Sequence, residues 1–309
     1  MDTGFSKNVY YGYLLKGDLP GAIHYVGRFP EQAELHSRFM AVFAREQYRT
    51  YDVDAGLNRI LAVYQRYYRD VFYLGAGREA AAEKLQAGLA ELLGLDGASI
   101  ELQDMEQNQV AGAFRRKGLH FLGGRTGGYY GPYVWRMEET RTYEVGLPAG
   151  IQRYTVKLLD GFICKSWIDY LSFGEIGTGG WADPKGIIHC VRSSYDFDSE
   201  DFKVSLLKHE AQHARDLAAD PDMPSEELEY RAKLVELIYS SERKLLETFL
   251  QEADGADKGN GHAAAASRII AGFAGKLGLN QEELESLPIR QVQDTARVLF
   301  AESEYRRSR

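Results

Sequence analysis

The hydrophobic period of the chain changes twice, and this constrains the fold more than any other feature. Over residues 1–95 apolar side chains recur at helical spacing. Val53, Leu57, Leu61, Tyr64, Tyr68 and Val71 form a stripe wide enough to bury one helix face. A second helix is expected over Glu79–Leu93, where Gly94 supplies a stop. A third is expected over Arg28–Tyr48, with Pro30 near its first turn. From about 118 to 195 the period becomes two. Tyr129–Arg136, Arg141–Val145, Tyr154–Leu159 and Ile187–Val191 read as strands. Asp160-Gly161, between Tyr154–Leu159 and Phe162–Trp167, predicts a β-hairpin, because a type I′ turn needs positive φ at both central residues. From 203 onward the pattern is helical again, with a polar, Gly-rich break at Asp254–Gly261 expected to be a surface loop. The pattern implies an α+β chain, mostly helical, with a small antiparallel-rich sheet before the last helical part. It suggests a helical domain over 1–95 and a second domain over 96–309, with its sheet at about 118–195 and its helices at about 203–306.

Composition narrows the function classes. The chain has 309 residues, 12% of them aromatic, enough burial to offset chain entropy. A formal net charge of −8 argues against nucleic acid or an anionic membrane as partner, since both require a basic face. No apolar run approaches the roughly 18–20 residues of a membrane span. The start, MDTGFSKNVYYGYLLKGDLPG, lacks the pattern of a secretory signal. Two cysteines, Cys164 and Cys190, make no disulfide framework and are expected in the core. A cytoplasmic protein is therefore expected. Gly123–Gly128 is glycine-rich but is followed by no Gly-Lys-Ser/Thr, and Tyr64–Arg69 reads as a core stripe rather than a base-stacking surface.

The stretch that carries chemistry is Lys208-His209-Glu210-Ala211-Gln212-His213-Ala214-Arg215-Asp216. On a helix, positions i and i+4 share a face, so His209 and His213 can hold one zinc ion. Glu210 is then placed to activate a zinc-bound water as general base. No Pro or Gly interrupts residues 202–218, and Val204, Leu206, Leu207, Ala211, Ala214, Leu217 and Ala218 give this helix an apolar face. Glu210-Ala211-Gln212-His213 is also Glu-x-x-His. No other histidine has Glu three residues before it, so a di-iron site lacks its second half. The plain alternative is an exposed helix carrying two unrelated histidines.

A catalytic zinc needs a third protein ligand. After the turn Asp220–Pro224, a helix is expected to open at Ser225 as N-cap and to run to about Leu250, forming an antiparallel hairpin with the motif helix. Its early carboxylates are Glu226, Glu227 and Glu229. Leu228, Ala232 and Val235 mark a buried face, and Glu229 lies at its edge. Glu229 is the favoured ligand. Glu226 and Glu227 suit the helix dipole, while Glu236 and Asp216 stay open, Asp216 also as a partner for a ligating histidine. A donor to the developing oxyanion is expected from Tyr230, Arg231, Tyr239 or His262.

His209-Glu210-x-x-His213, followed by a helix with Glu229-Tyr230-Arg231-Ala232, resembles the gluzincin group of zinc metallopeptidases over about residues 209–233. The resemblance implies a zincin-like fold and Glu229 as third ligand. It also implies a sheet whose edge strand, here Gly186–Val191, pairs with an extended peptide or protein substrate. The sequence departs from the group at Lys233, where an Asp that orients a histidine is common. No further histidine follows as in the metzincins. The preceding Gly174–Trp181 reads as a lip over the cleft or a plain loop. The expected function is a zinc-dependent metallohydrolase of the peptidase class. Its rivals are a non-catalytic zincin-like binding or regulatory protein and a helical scaffold with an accidental motif. Nothing in the sequence specifies the oligomeric state.

Overall fold

The computed structural model describes residues 4–95, 100–183, 185–254 and 261–307. The chain divides into two compact units, one of residues 1–137 and 160–178, the other of residues 138–159 and 179–309. No helix among the described residues is long and apolar enough to cross a membrane.

The first unit is mainly helical. Asp54 caps the helix Ala55–Tyr68 by accepting from the amides of Gly56 and Leu57, two of the donors a helix start leaves unpaired. Leu57, Leu61, Tyr64 and Tyr68 are buried along it, as the periodicity predicts, with Ile60 buried beside them, while Val53 and Val71 of the expected stripe are only partly buried. Arg78–Leu93 ends at Gly94, which takes a left-handed φ of 66°. The expected helix over Arg28–Tyr48 is instead a short turn, an α-helix Ala33–Phe39 and a π-helical turn Met40–Ala44.

This unit extends past the expected boundary near 95. Leu102, Met105, Val110, Phe114, Val134, Trp167 and Tyr170 pack into the same core as Leu61 and Leu85. A three-stranded antiparallel sheet places Tyr133–Trp135 between His120–Leu122 and Cys164–Lys165. That pairing corrects the hairpin expected at Asp160-Gly161. Asp160 ends one strand and accepts from the Gly161 amide at 2.7 Å, and Cys164–Lys165 then joins a different sheet. Ser166–Leu171, partly expected as strand, is helix.

The second unit holds a four-stranded sheet in the order Met137–Leu147, Gly150–Asp160, Ile188–Val191, Gly180–Ala182. Gly150–Asp160 and Ile188–Val191 run parallel, with Val156 opposite Ile188. Gly180–Ala182 runs antiparallel at the edge, with Trp181 opposite His189. Ile188–Val191 is therefore interior, and all four of its residues are buried. The edge strand comes from the glycine-rich segment read as a lip or loop.

Helices Leu207–Ala219, Ser225–Tyr239, Lys244–Asp254, Gly261–Leu277, the short Gln281–Leu284 and Ile289–Arg307 follow in the unit. Asp201–Leu206 is a π-helical lead-in to the first of them. The long helix expected from Ser225 to Leu250 is two helices. Ser240 breaks it, donating its hydroxyl to Glu200 at 2.6 Å, and Pro224 rather than Ser225 occupies the cap position. Ser225–Tyr239 is buried from Tyr230 through Ile238 on every face, so it is a central helix and not an amphipathic one. Cys164 and Cys190 are buried and unbridged. The break expected at Asp254–Gly261 falls largely on residues 255–260, outside the described residues.

Candidate metal centre

Two helices build the centre. The motif helix Leu207–Ala219 carries His209, Glu210 and His213, and the next helix, Ser225–Tyr239, brings Glu229 to them. A ligand atom from each of His209, His213 and Glu229 lies within 4.8 Å of the others. His209 Nε2 and His213 Nε2 are 2.9 Å apart, and the Glu229 carboxylate is 3.5 Å from each ring. Two ring nitrogens this close cannot both present lone pairs, so a proton or a cation must lie between them. Zinc bonds of about 2.0–2.1 Å in tetrahedral geometry set donor atoms roughly 3.3 Å apart, and the observed spacings bracket that value.

The sequence alternatives separate cleanly. Glu227 pairs with Arg268, and Glu226 is exposed. Asp216 is engaged by Arg231 and Gln212: it accepts two bonds from the buried Arg231, at 2.7 and 3.1 Å, and one from Gln212. Arg231 also donates to Ser303 and Glu304. Glu236 is the histidine partner, its Oε1 lying 2.6 Å from His209 Nδ1. That contact orients the ring so that Nε2 faces His213 and Glu229, as a carboxylate does behind a metal-binding imidazole. Glu236 falls seven residues after Glu229, two turns along one face, a spacing that could have identified it.

The electrostatics follow from this crowding. Burial opposes charge on His209, but Glu236, Glu229 and Glu210 outweigh it and raise its pKa to about 10. Burial likewise opposes charge on Glu229, yet His209 and His213 hold its carboxyl well below the usual range. His209 and Glu229 thus both favour their charged forms in this arrangement.

Glu210 sits where the edge strand meets the motif helix. Its Oε2 accepts from the Ala182 amide at 2.8 Å. Only glycine fits at Gly180, since an added Cβ would lie 2.5 Å from Leu206 Cδ1 and 2.6 Å from the His189 carbonyl oxygen. This close approach requires glycine at position 180 of the segment that reads as a loop. A cleft of about 280 Å³ opens here, lined among others by Gly180, Tyr195, His209, Glu210, Lys233 and His262. Of the four candidate oxyanion donors only His262 lines it. Tyr230 and Arg231 are buried elsewhere, and the Tyr239 ring lies under the Lys208 ammonium. His262 Nδ1 is 3.0 Å from Glu229 Oε2.

Comparison with protein-family models, with curated proteins and with solved structures found no match for this chain.

Proposed function

We propose that the protein is a zinc-dependent hydrolase acting on peptide bonds, of the gluzincin kind. The observation that carries this reading is the convergence of His209, His213 and Glu229, with Glu210 beside them and bonded to the edge strand Gly180–Ala182. His209, His213 and Glu229 would hold the metal. When bound, zinc supplies Lewis acidity toward the scissile carbonyl.

The chain's own groups do the rest. Glu236 fixes the His209 ring. Glu210 takes a proton from the attacking water and later delivers it to the leaving amine nitrogen, general base turned general acid. His262, which lines the cleft, would donate to the oxygen on which charge develops by turning its N–H away from Glu229. Gly180–Ala182, the edge strand beside the cleft, would lie along an extended peptide, the role expected for Gly186–Val191.

The test is Glu210→Gln. The variant is expected to keep its zinc and to hydrolyse a peptide library roughly 10²–10⁴-fold more slowly than wild type, the usual contribution of a positioned acid–base group. Hydrolysis at the wild-type rate would contradict the mechanism.

A further inference from the structure

We propose that Lys233 and Glu252 form the substrate-reading element of the cleft, and that Lys233 receives a carboxylate of the substrate in exchange for Glu252. This rests on the hydrolase reading above and adds to it the class of peptide taken.

Lys233 departs from the gluzincin pattern, and the structure gives the departure a place. It lies one turn after Glu229 on the same helix and is 4% exposed. Its ammonium meets Glu252 Oε2 at 2.8 Å and the Phe249 ring centroid at 4.0 Å. Both residues line the cleft that holds His209 and Glu210. Lys233 is the one lysine or arginine among the described residues of that lining. The other nearby carboxylates are engaged, Glu229 with imidazoles, Glu236 with His209 and Glu210 with the Ala182 amide.

The two partners differ in burial. The Lys233 side chain is 5% exposed and that of Glu252 is 35%. Glu252 can turn into water at small cost, whereas the ammonium is fixed in the wall and needs an anion beside it. An incoming carboxylate meets that need, so one anion replaces another and the buried cation is never left alone. A substrate ammonium drawn to Glu252 would instead strip Lys233 of its partner. The pair therefore favours anionic substrates and disfavours cationic ones, specificity by attraction and by repulsion together.

The shared cleft fixes where the carboxylate lies. Lys233, His209 and Glu210 line one cleft of about 280 Å³, so the carboxylate belongs near the scissile bond, either as the chain end of a short peptide or as an acidic side chain just after the cut.

The test is calorimetric binding to full-length Glu210→Gln protein, with and without added zinc. The probes are an N-acetylated tripeptide with a free carboxyl end, its amide, and an amide bearing Glu as third residue. Binding of the free acid at least about tenfold tighter than the plain amide is expected. Lys233→Met should abolish that preference and Glu252→Gln should enlarge it. The Glu-bearing amide tells chain end from side chain, binding like the free acid only if an acidic side chain is read. Equal binding of all three peptides, no binding of any, or a preference that survives Lys233→Met would overturn the proposal. So would both variants weakening every peptide alike, as a merely structural pair would. If Lys233→Met does not fold, Glu252→Gln decides alone, by tightening free-acid binding or not. Failure of the hydrolase reading looks different: wild type cleaves no peptide while the carboxylate preference in binding stands.

Discussion

In the first unit the buried interior is aromatic. Tyr10, Tyr64, Tyr68, Phe72, Trp167 and Tyr170 are nearly inaccessible, and Glu106 and Asp169 are the buried carboxylates there among the described residues. In the second unit two neighbouring helices bury His209, Asp216, Arg231, Lys233 and Glu236. Buried charge is costly unless paired, so its concentration on two adjacent helices needs a reason. The second unit supplies two. Arg231 has its donors met by Asp216, Ser303 and Glu304, which makes it a clamp between helices. The His209–His213–Glu229 set has like nitrogens facing each other, which makes it incomplete without a proton or a cation. Burial and charge alone do not distinguish the two cases; whether each donor already has its acceptor does.

The comparison can be broken first at the clamp. Arg231→Met leaves Asp216 buried without its cation. A loss of about 3–5 kcal/mol is expected in denaturant unfolding, the usual cost of removing one partner of a buried pair. A loss below about 1 kcal/mol, the range of a surface pair, would show that the clamp does not hold the helices.

Glu106 tests the other unit. Burial raises its carboxyl to about 7, against the Tyr64 hydroxyl and Gly124 amide that favour the ionised form. The folded value lies above the unfolded value of 4.5, so folding favours the protonated acid. Its contribution is full below pH 4.5 and is lost as pH rises through about 7. The loss should be on the order of 3 kcal/mol, at 1.36 per unit. Hydrogen-exchange protection in Ala55–Tyr68, corrected for the intrinsic pH dependence of amide exchange, should fall over that range in wild type and not in Glu106→Gln. Equal pH dependence in both would remove Glu106 as the cause.

Glu236→Ala sharpens the claim that this carboxylate serves the ligand histidine. Zinc affinity, measured by chelator competition, should fall roughly 10–100-fold. Unchanged affinity would place Glu236 outside the centre.

What the sequence made legible was local. The stripe from Leu57 to Tyr68, the stop at Gly94 and the strand at Ile187–Val191 appear where their patterns put them. The spacing of His209 and His213 put both imidazoles on one helix face. What it hid was pairing across distance. Asp160-Gly161 has the composition of a hairpin turn, but the partner of Cys164 is Val134, which no local signal names. The helix after Ser225 carries helix formers to Leu250, and it ends at Tyr239 because Ser240 bonds Glu200, forty residues back. Ile188–Val191 reads as a strand in either place, and only the arrival of Gly180–Ala182 makes it interior. Asp216 and Glu236 were equal candidates until Arg231 claimed one and His209 the other.

The most direct measurement is the metal content of the protein purified with zinc, beside His209→Ala and Glu229→Ala. About one zinc ion per chain is expected in wild type, with little retained in either variant, since a site of three protein ligands rarely survives losing one. Wild-type protein without stoichiometric zinc, or a His209→Ala variant that binds as much as wild type, would contradict the account.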